Sequence, residues 1–190
     1  PYAVLRGVAI DPPLDGALAE AVRTLPQQPI TQVYLAPKRP FWDDDGHAPS
    51  LFTDTPAGMI AAVRSGTDPD TIHYLSAWVI GPHAVRLAGV PEAEAGKAVI
   101  GAIEAFRPAA RGQLELIGLK DWGSDPFARG AWAYFRPGQV NRFAAQMSGP
   151  HGRMHFCGEH LALTGRGLEG ALETAERAVT EVLAAESATL

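Results

Sequence analysis

Cysteine is nearly absent: Cys157 is the one thiol in 190 residues. An internal disulfide or a thiolate metal cluster needs at least two sulfurs, so neither can form within the chain. Long hydrophobic runs are missing too. No apolar stretch approaches the roughly 20 residues of a bilayer span, and no basic segment followed by an apolar one stands at the start. A soluble chain with no membrane partner is expected, its compartment left open between cytoplasmic and secreted. Positive charge is scarce: 16 Lys+Arg stand against 21 Asp+Glu, a formal net charge of −5, and Lys38-Arg39 is an isolated pair. Neutralising phosphates takes a basic patch, so nucleic acid is not an expected partner. Internal repeats and low-complexity linkers are also lacking, and the 20 Gly and 16 Pro are scattered as turn punctuation. What is present is apolar material for a core: 46% of residues are hydrophobic, which excludes a disordered or fibrous chain. The length corresponds to about one to one and a half average domains.

Residues 4–10 form a short apolar run that stops at Asp11-Pro12-Pro13, where prolines remove donors, so a strand and then a turn are expected. Residues 14–25 carry Leu14, Leu18, Ala21, Val22 and Leu25 near helical spacing, closed by Pro26. Residues 30–36 alternate as a strand, Gln32, Tyr34 and Ala36 on one face and Thr31, Val33 and Leu35 on the other. Further strands are predicted at 50–53, 59–63, 71–80 and 113–120, a helix at 91–106 with Val99, Ile100, Ile103 and Phe106 as its stripe, and a short helix at 139–147. Residues 153–157 read as a short strand broken by Gly158. From Leu168 an amphipathic helix follows, its apolar positions Leu168, Ala171, Leu172, Ala175, Ala178, Val179, Val182 and Leu183. A glycine-bracketed loop feeding a helix N-terminus presents unpaired N–H groups and a positive dipole end to an anion.

Gly165-Arg166-Gly167-Leu168-Glu169-Gly170 satisfies G-x-G-x-x-G. The dinucleotide fingerprint also needs a second parallel strand with an acidic residue about 20 positions on, and the sequence offers none. The alternative is that these glycines permit tight packing and a bent approach to the helix. His155 and His160 lack a third ligand nearby, so no metal is expected.

Arg153-Met154-His155-Phe156-Cys157-Gly158-Glu159-His160, followed by Gly167-Leu168-Glu169-Gly170-Ala171-Leu172-Glu173-Thr174-Ala175-Glu176-Arg177-Ala178, resembles the C-terminal flavin-binding segment of FAD-dependent amine oxidases. That superfamily holds monoamine oxidase, polyamine oxidases and L-amino-acid oxidases. Pro40-Phe41-Trp42, Asp121-Trp122 and Tyr134-Phe135-Arg136-Pro137-Gly138 are similar to further family blocks in the same order. The resemblance implies an α/β (α+β) chain, the C-terminal half of a two-domain fold. Residues 1–122 would be part of a mixed-sheet substrate domain, and 123–190 would supply the last strand and helix of the FAD-binding domain. Pro1 in place of Met suggests a processed or trimmed chain. A partner chain carrying the N-terminal dinucleotide-binding glycine motif is implied, arising by proteolysis or from a separate gene, within a higher oligomer.

The resemblance also implies that Trp122, Gly158, Glu159, Gly167, Leu168 and Ala171 lie on the flavin side, with backbone N–H groups near Glu159 and at Leu168 meeting FAD. A helix N-terminus at Leu168 suits a flavin edge that becomes negative on reduction. For Glu159 a solvated loop carboxylate is the alternative, and for Trp122 a plain core role. Many family members carry a lysine nine residues before the Phe of Phe-Trp, holding a water near the flavin; here Gln32 takes its place, able to hold a water but not a charge. Two aromatic walls enclose the amine in monoamine oxidases. Trp132 matches one wall, or is a core residue, and Gly167 opens the other. Ala131 stands at the position of monoamine oxidase's covalent attachment, which implies non-covalent FAD. The implied activity is oxidation of a small amine or amino acid with O2 giving H2O2, Gln32, Trp132 and Gly167 lying at the catalytic face. A flavin desaturase or dehydrogenase on a non-amine substrate, or a non-catalytic subunit, are the alternatives.

Overall fold

The computed structural model describes residues 1–64 and 68–187. In chain order the elements are α1 (Tyr2–Leu5), α2 (Gly16–Thr24), β1 (Ile30–Pro37), α3 (Trp42–Asp45), β2 (Leu51–Phe52), β3 (Met59–Arg64), β4 (Ile72–Ile80), α4 (Pro82–Leu87), α5 (Glu92–Phe106), β5 (Leu114–Asp121) and α6 (Leu168–Ser187). Single turns of 3-10 helix at Pro108–Ala110 and Glu159–Leu161, and a π-helical turn at Val140–Ala144, complete the list. The chain divides into two compact units, Pro29–Asp125 and the pair Pro1–Gln28 with Pro126–Leu190.

The Pro29–Asp125 unit is a five-stranded sheet in the order β2-β3-β4-β1-β5. Thr31, Val33 and Leu35 of β1 are buried, while Gln32 and Tyr34 on its other face are only half-buried, as the alternation predicts. α5 buries Ala95, Gly96, Val99 and Ile103, and Val99 and Ile103 join Val33, Leu35, Phe41, Leu75 and Val79 in the core. Ile100 and Phe106 pack at the margin of that cluster. Pro108, lacking an N–H, stops the helix at the expected place. Among the described residues every strand pairing in this sheet is antiparallel. α5 does connect two strands that run the same way, β4 and β5, but β1 lies between them, so each neighbouring pair is antiparallel.

In the other unit, Tyr2, Leu18, Ala21, Val22 and Leu25 share a core with Ala133, Phe143, Met147 and Leu161. An antiparallel bridge between Gln27 and Ala133 ties the two segments backbone to backbone. The first 28 residues, expected to group with 29–122, fall in one compact unit with the segment from Pro126 onward. The strand expected at 4–10 is replaced by the short helix α1: Val4 and Leu5 donate to the Pro1 carbonyl at 3.0 and 3.1 Å, and no neighbouring strand offers a ladder. The strand expected at 153–157 is likewise reduced to one bridge, His151 with Met154. The short helix expected at 139–147 is the π-helical turn that buries Phe143.

Candidate functional site

The Pro29–Asp125 unit brings two of the expected residues together. Trp122 follows β5, and its indole N–H donates to Gln32 Oε1 on β1 at 2.7 Å. The Tyr34 hydroxyl donates to the same oxygen at 3.2 Å, leaving the Gln32 amide N–H2 without a described acceptor. Lys120, directly opposite Gln32 in the β1–β5 register, stands 5.0 Å from the Trp122 ring centroid and pairs with Asp125 at 2.6 Å. Trp122 is half-buried, held by its edge rather than sunk in the core.

The other unit holds the remaining six. Gly158 opens the Glu159–Leu161 turn, and Thr174 of α6 binds it from both sides: the Gly158 N–H donates to Thr174 Oγ1 at 2.9 Å, and that hydroxyl lies 3.1 Å from the Gly158 carbonyl. The N–H groups of Glu159 and His160, which begin the turn, donate to no described group. Glu159 is not a loosely solvated carboxylate. Its Oε1 accepts the Ala133 N–H at 2.9 Å and its Oε2 faces Arg166 at 3.4 Å, so it fixes the backbone beside Trp132. Trp132 is 39% exposed, and its carbonyl accepts the Gln28 N–H at 2.7 Å.

α6 begins where Gly167 turns the chain with φ +79, and Ala171 closes the first turn on the Gly167 carbonyl at 3.0 Å. The N–H groups of Leu168, Glu169 and Gly170 are the unpaired donors of this end. A Cβ on Gly170 would meet the Gly165 carbonyl oxygen at 2.2 Å, so Gly170 serves close packing and Gly167 the bent approach, while a Cβ on Gly165 would meet nothing within 4 Å. The buried face of α6 is Gly170, Thr174 and Ala178. Of the expected apolar stripe, Leu168, Leu172, Val179 and Leu183 are instead 75, 53, 58 and 59% exposed. Small residues are on the inner face because the Gly158 turn lies directly against it.

The two histidines part company. His155 Nδ1 lies 3.1 Å from Glu181 Oε2. His160 is buried with the Tyr2 ring edge-on at 4.5 Å, its Nε2 has no described partner, and burial lowers its pKa to about 4. Sequence reasoning passed over Thr174, Arg166 and Lys120. A polar Thr174 spaced by four from Gly170 and Ala178 was a legible sign of a second, inward face; Arg166 and Lys120 carried no such sign.

Residues 1–183 match the family of flavin-containing amine oxidoreductases. The chain belongs to that family. Among the chain's relatives are the L-amino-acid oxidase BmooLAAO-I of Bothrops moojeni, 25% identical over 182 residues, and an L-amino-acid oxidase of Siganus canaliculatus, 27% identical over 177 residues. These alignments take in 93 and 90% of the chain but 36 and 33% of the relatives, so the chain spans about a third of their length. In fold it is similar to a putrescine oxidase redesigned in its cofactor binding, with a TM-score of 0.82 at 22% identity over 97% of this chain and 41% of that one. Cyclohexylamine oxidase from Brevibacterium oxydans IH-35A gives 0.76 at 22% identity, covering 95 and 40%. Among the described residues no helix is long and apolar enough to cross a membrane.

Proposed function

We propose that this amine oxidase chain forms the C-terminal part of an enzyme that oxidises a small amine or amino acid with non-covalent FAD. The observation that carries the reading is the α6 N-terminus: three unpaired N–H groups behind Gly167, anchored by Thr174 to the Gly158 turn with its own free donors. Such an array fits a cofactor edge that takes on negative charge, because preorganised donors stabilise it without a titrating group. Gly158, Glu159, Gly167, Leu168 and Ala171 would hold the flavin through backbone, with Trp122 beside it. When bound, the flavin would take a hydride from the carbon next to nitrogen and pass the electrons to O2 as H2O2, leaving an imine that water converts to the carbonyl. Trp132 would steer the amine by its exposed ring face. Gln32, its oxygen fixed by Trp122 and Tyr34, would offer its amide N–H2 to a water. Ala131 has only a methyl, which supports a flavin without a covalent link.

The exposed Leu168, Leu172, Val179 and Leu183 support a cover for this face of α6, and the family resemblance implies that it is an N-terminal half carrying the dinucleotide-binding glycine motif. We propose it as the chain's partner, whether linked covalently, cut by proteolysis or encoded separately, in a higher oligomer. The test is to purify the enzyme from its source, record the visible flavin spectrum, and screen amines and amino acids for bleaching under nitrogen and peroxide in air. Bleaching with release of ammonia or an alkylamine supports the reading. The absence of a charged group at Gln32 favours a second reading, a flavin dehydrogenase on a non-amine substrate. Bleaching by such a substrate without amine release would establish that one, and a bound flavin that no substrate bleaches would point to a non-catalytic subunit.

A further inference from the structure

The unit formed by the two chain ends contains a polar cavity of about 550 Å3 lined by Arg6, Arg23, Arg129 and Arg136, with Thr24 and Gln27. No carboxylate lines it, and among the described residues none of the four arginines forms an ion pair. Arg6 spends Nε and Nη2 on the carbonyls of Val22 and Leu25, each at 2.6 Å. Its Nη1 and the guanidinium groups of the other three donate to no described group. The Arg6 pKa is lowered, by burial first and by the Arg136 charge second. In a chain of net charge −5, this is a local concentration of uncompensated positive charge.

Arg129 supplies an independent observation. Its φ of +58 makes it the one non-glycine in the left-handed region among the described residues. Glycine would rest there without strain. A strained arginine lining a cavity that already holds three others points to a use for its side chain.

We propose that this cavity binds a phosphate-bearing small molecule, a diphosphate being the best charge match. Guanidinium forks present paired N–H donors that suit phosphate oxygens, and four of them exceed what one carboxylate requires. The volume suits a small ligand. None of the lining residues is among those proposed to hold the flavin.

The test is isothermal titration of inorganic pyrophosphate into the intact enzyme with its flavin in place, at low ionic strength. One saturable site per chain is expected, weakening as NaCl is added. Arg23→Gln and Arg136→Gln should each weaken it by roughly tenfold or more. Arg129→Gly should weaken it equally while raising the melting temperature without anion, an outcome a merely structural arginine would not give. Absence of saturable heat with the wild type, or unchanged binding by Arg129→Gly, overturns the proposal. So does equal affinity for citrate, which would make the ligand a carboxylate. A wild type that fails to bind while Arg23→Gln melts lower or loses flavin would show that a carboxylate of the protein, or the flavin's own diphosphate, already fills the cavity, and this too overturns it.

Discussion

Arg107, 2% exposed, makes four hydrogen bonds through its guanidinium. It pairs with Asp45 in two bonds of 2.7 and 2.9 Å, donates to the His47 and Ala48 carbonyls at 2.8 and 3.0 Å, and lies over the Phe41 ring at 4.9 Å. Asp45→Ala should destabilise the protein by about 3–5 kcal/mol, because it leaves a buried cation unpaired; a denaturant midpoint shifted by less than about 1 kcal/mol would refute this. The same hydrogen bonds hold the Asp45 carboxyl at about 2, below its ordinary 3.8. Its contribution is therefore complete above pH 3.8 and is lost as pH falls through about 2. His160 acts at milder pH: burial puts its folded value at about 4 against an ordinary 6.5, so the unfolded chain takes up the proton first. Stability should fall as pH drops from 6.5 toward 4, and His160→Phe should flatten that part of the melting curve. Parallel curves for the two proteins would show that His160 is not the group responsible. Gln32 belongs to the redox reading. Gln32→Lys should raise the rate at which O2 reoxidises the reduced flavin; an unchanged rate would mean that the residue at this position does not govern oxygen reactivity.

Helix α6 shows how one element can have two apolar faces with different work. Its small face is closed down on the Gly158 turn and its leucine face is open. Ala178→Asp should unfold this unit, since it places a carboxylate in the buried face. Leu172→Asp should leave the unit's own stability nearly unchanged but lower the flavin content and loosen the N-terminal half, measured by absorbance and native mass spectrometry. Full flavin occupancy in Leu172→Asp would remove the support for a covered face. β1 and α5 are legible in sequence because their periods of 2.0 and 3.6 are local properties of the residues that form them. α3 and α4 escaped notice because four and six residues carry too little period to read.

At the scale of the whole molecule, the proposed amine oxidation requires a neutral amine, so under that proposal the rate of flavin reduction should fall as pH drops below the pKa of the bound amine. Reduction that stays constant across that pKa would count against amine oxidation. The sequence by itself carried the resemblance to the family, through the blocks around Phe41, Trp122 and Gly158, and it determined most of the regular elements, since turn residues and periodicity act over a few neighbours. Only the tertiary structure decided where those pieces meet. It joined residues 1–28 to the C-terminal segment, paired Arg107 with an aspartate 62 positions away, and turned the small face of α6 inward. It also gathered Arg6, Arg23, Arg129 and Arg136 into one cavity in a chain whose sequence contains no basic cluster. Those outcomes depend on contacts between residues far apart in the chain, and pair identity at long range leaves no periodic trace to read.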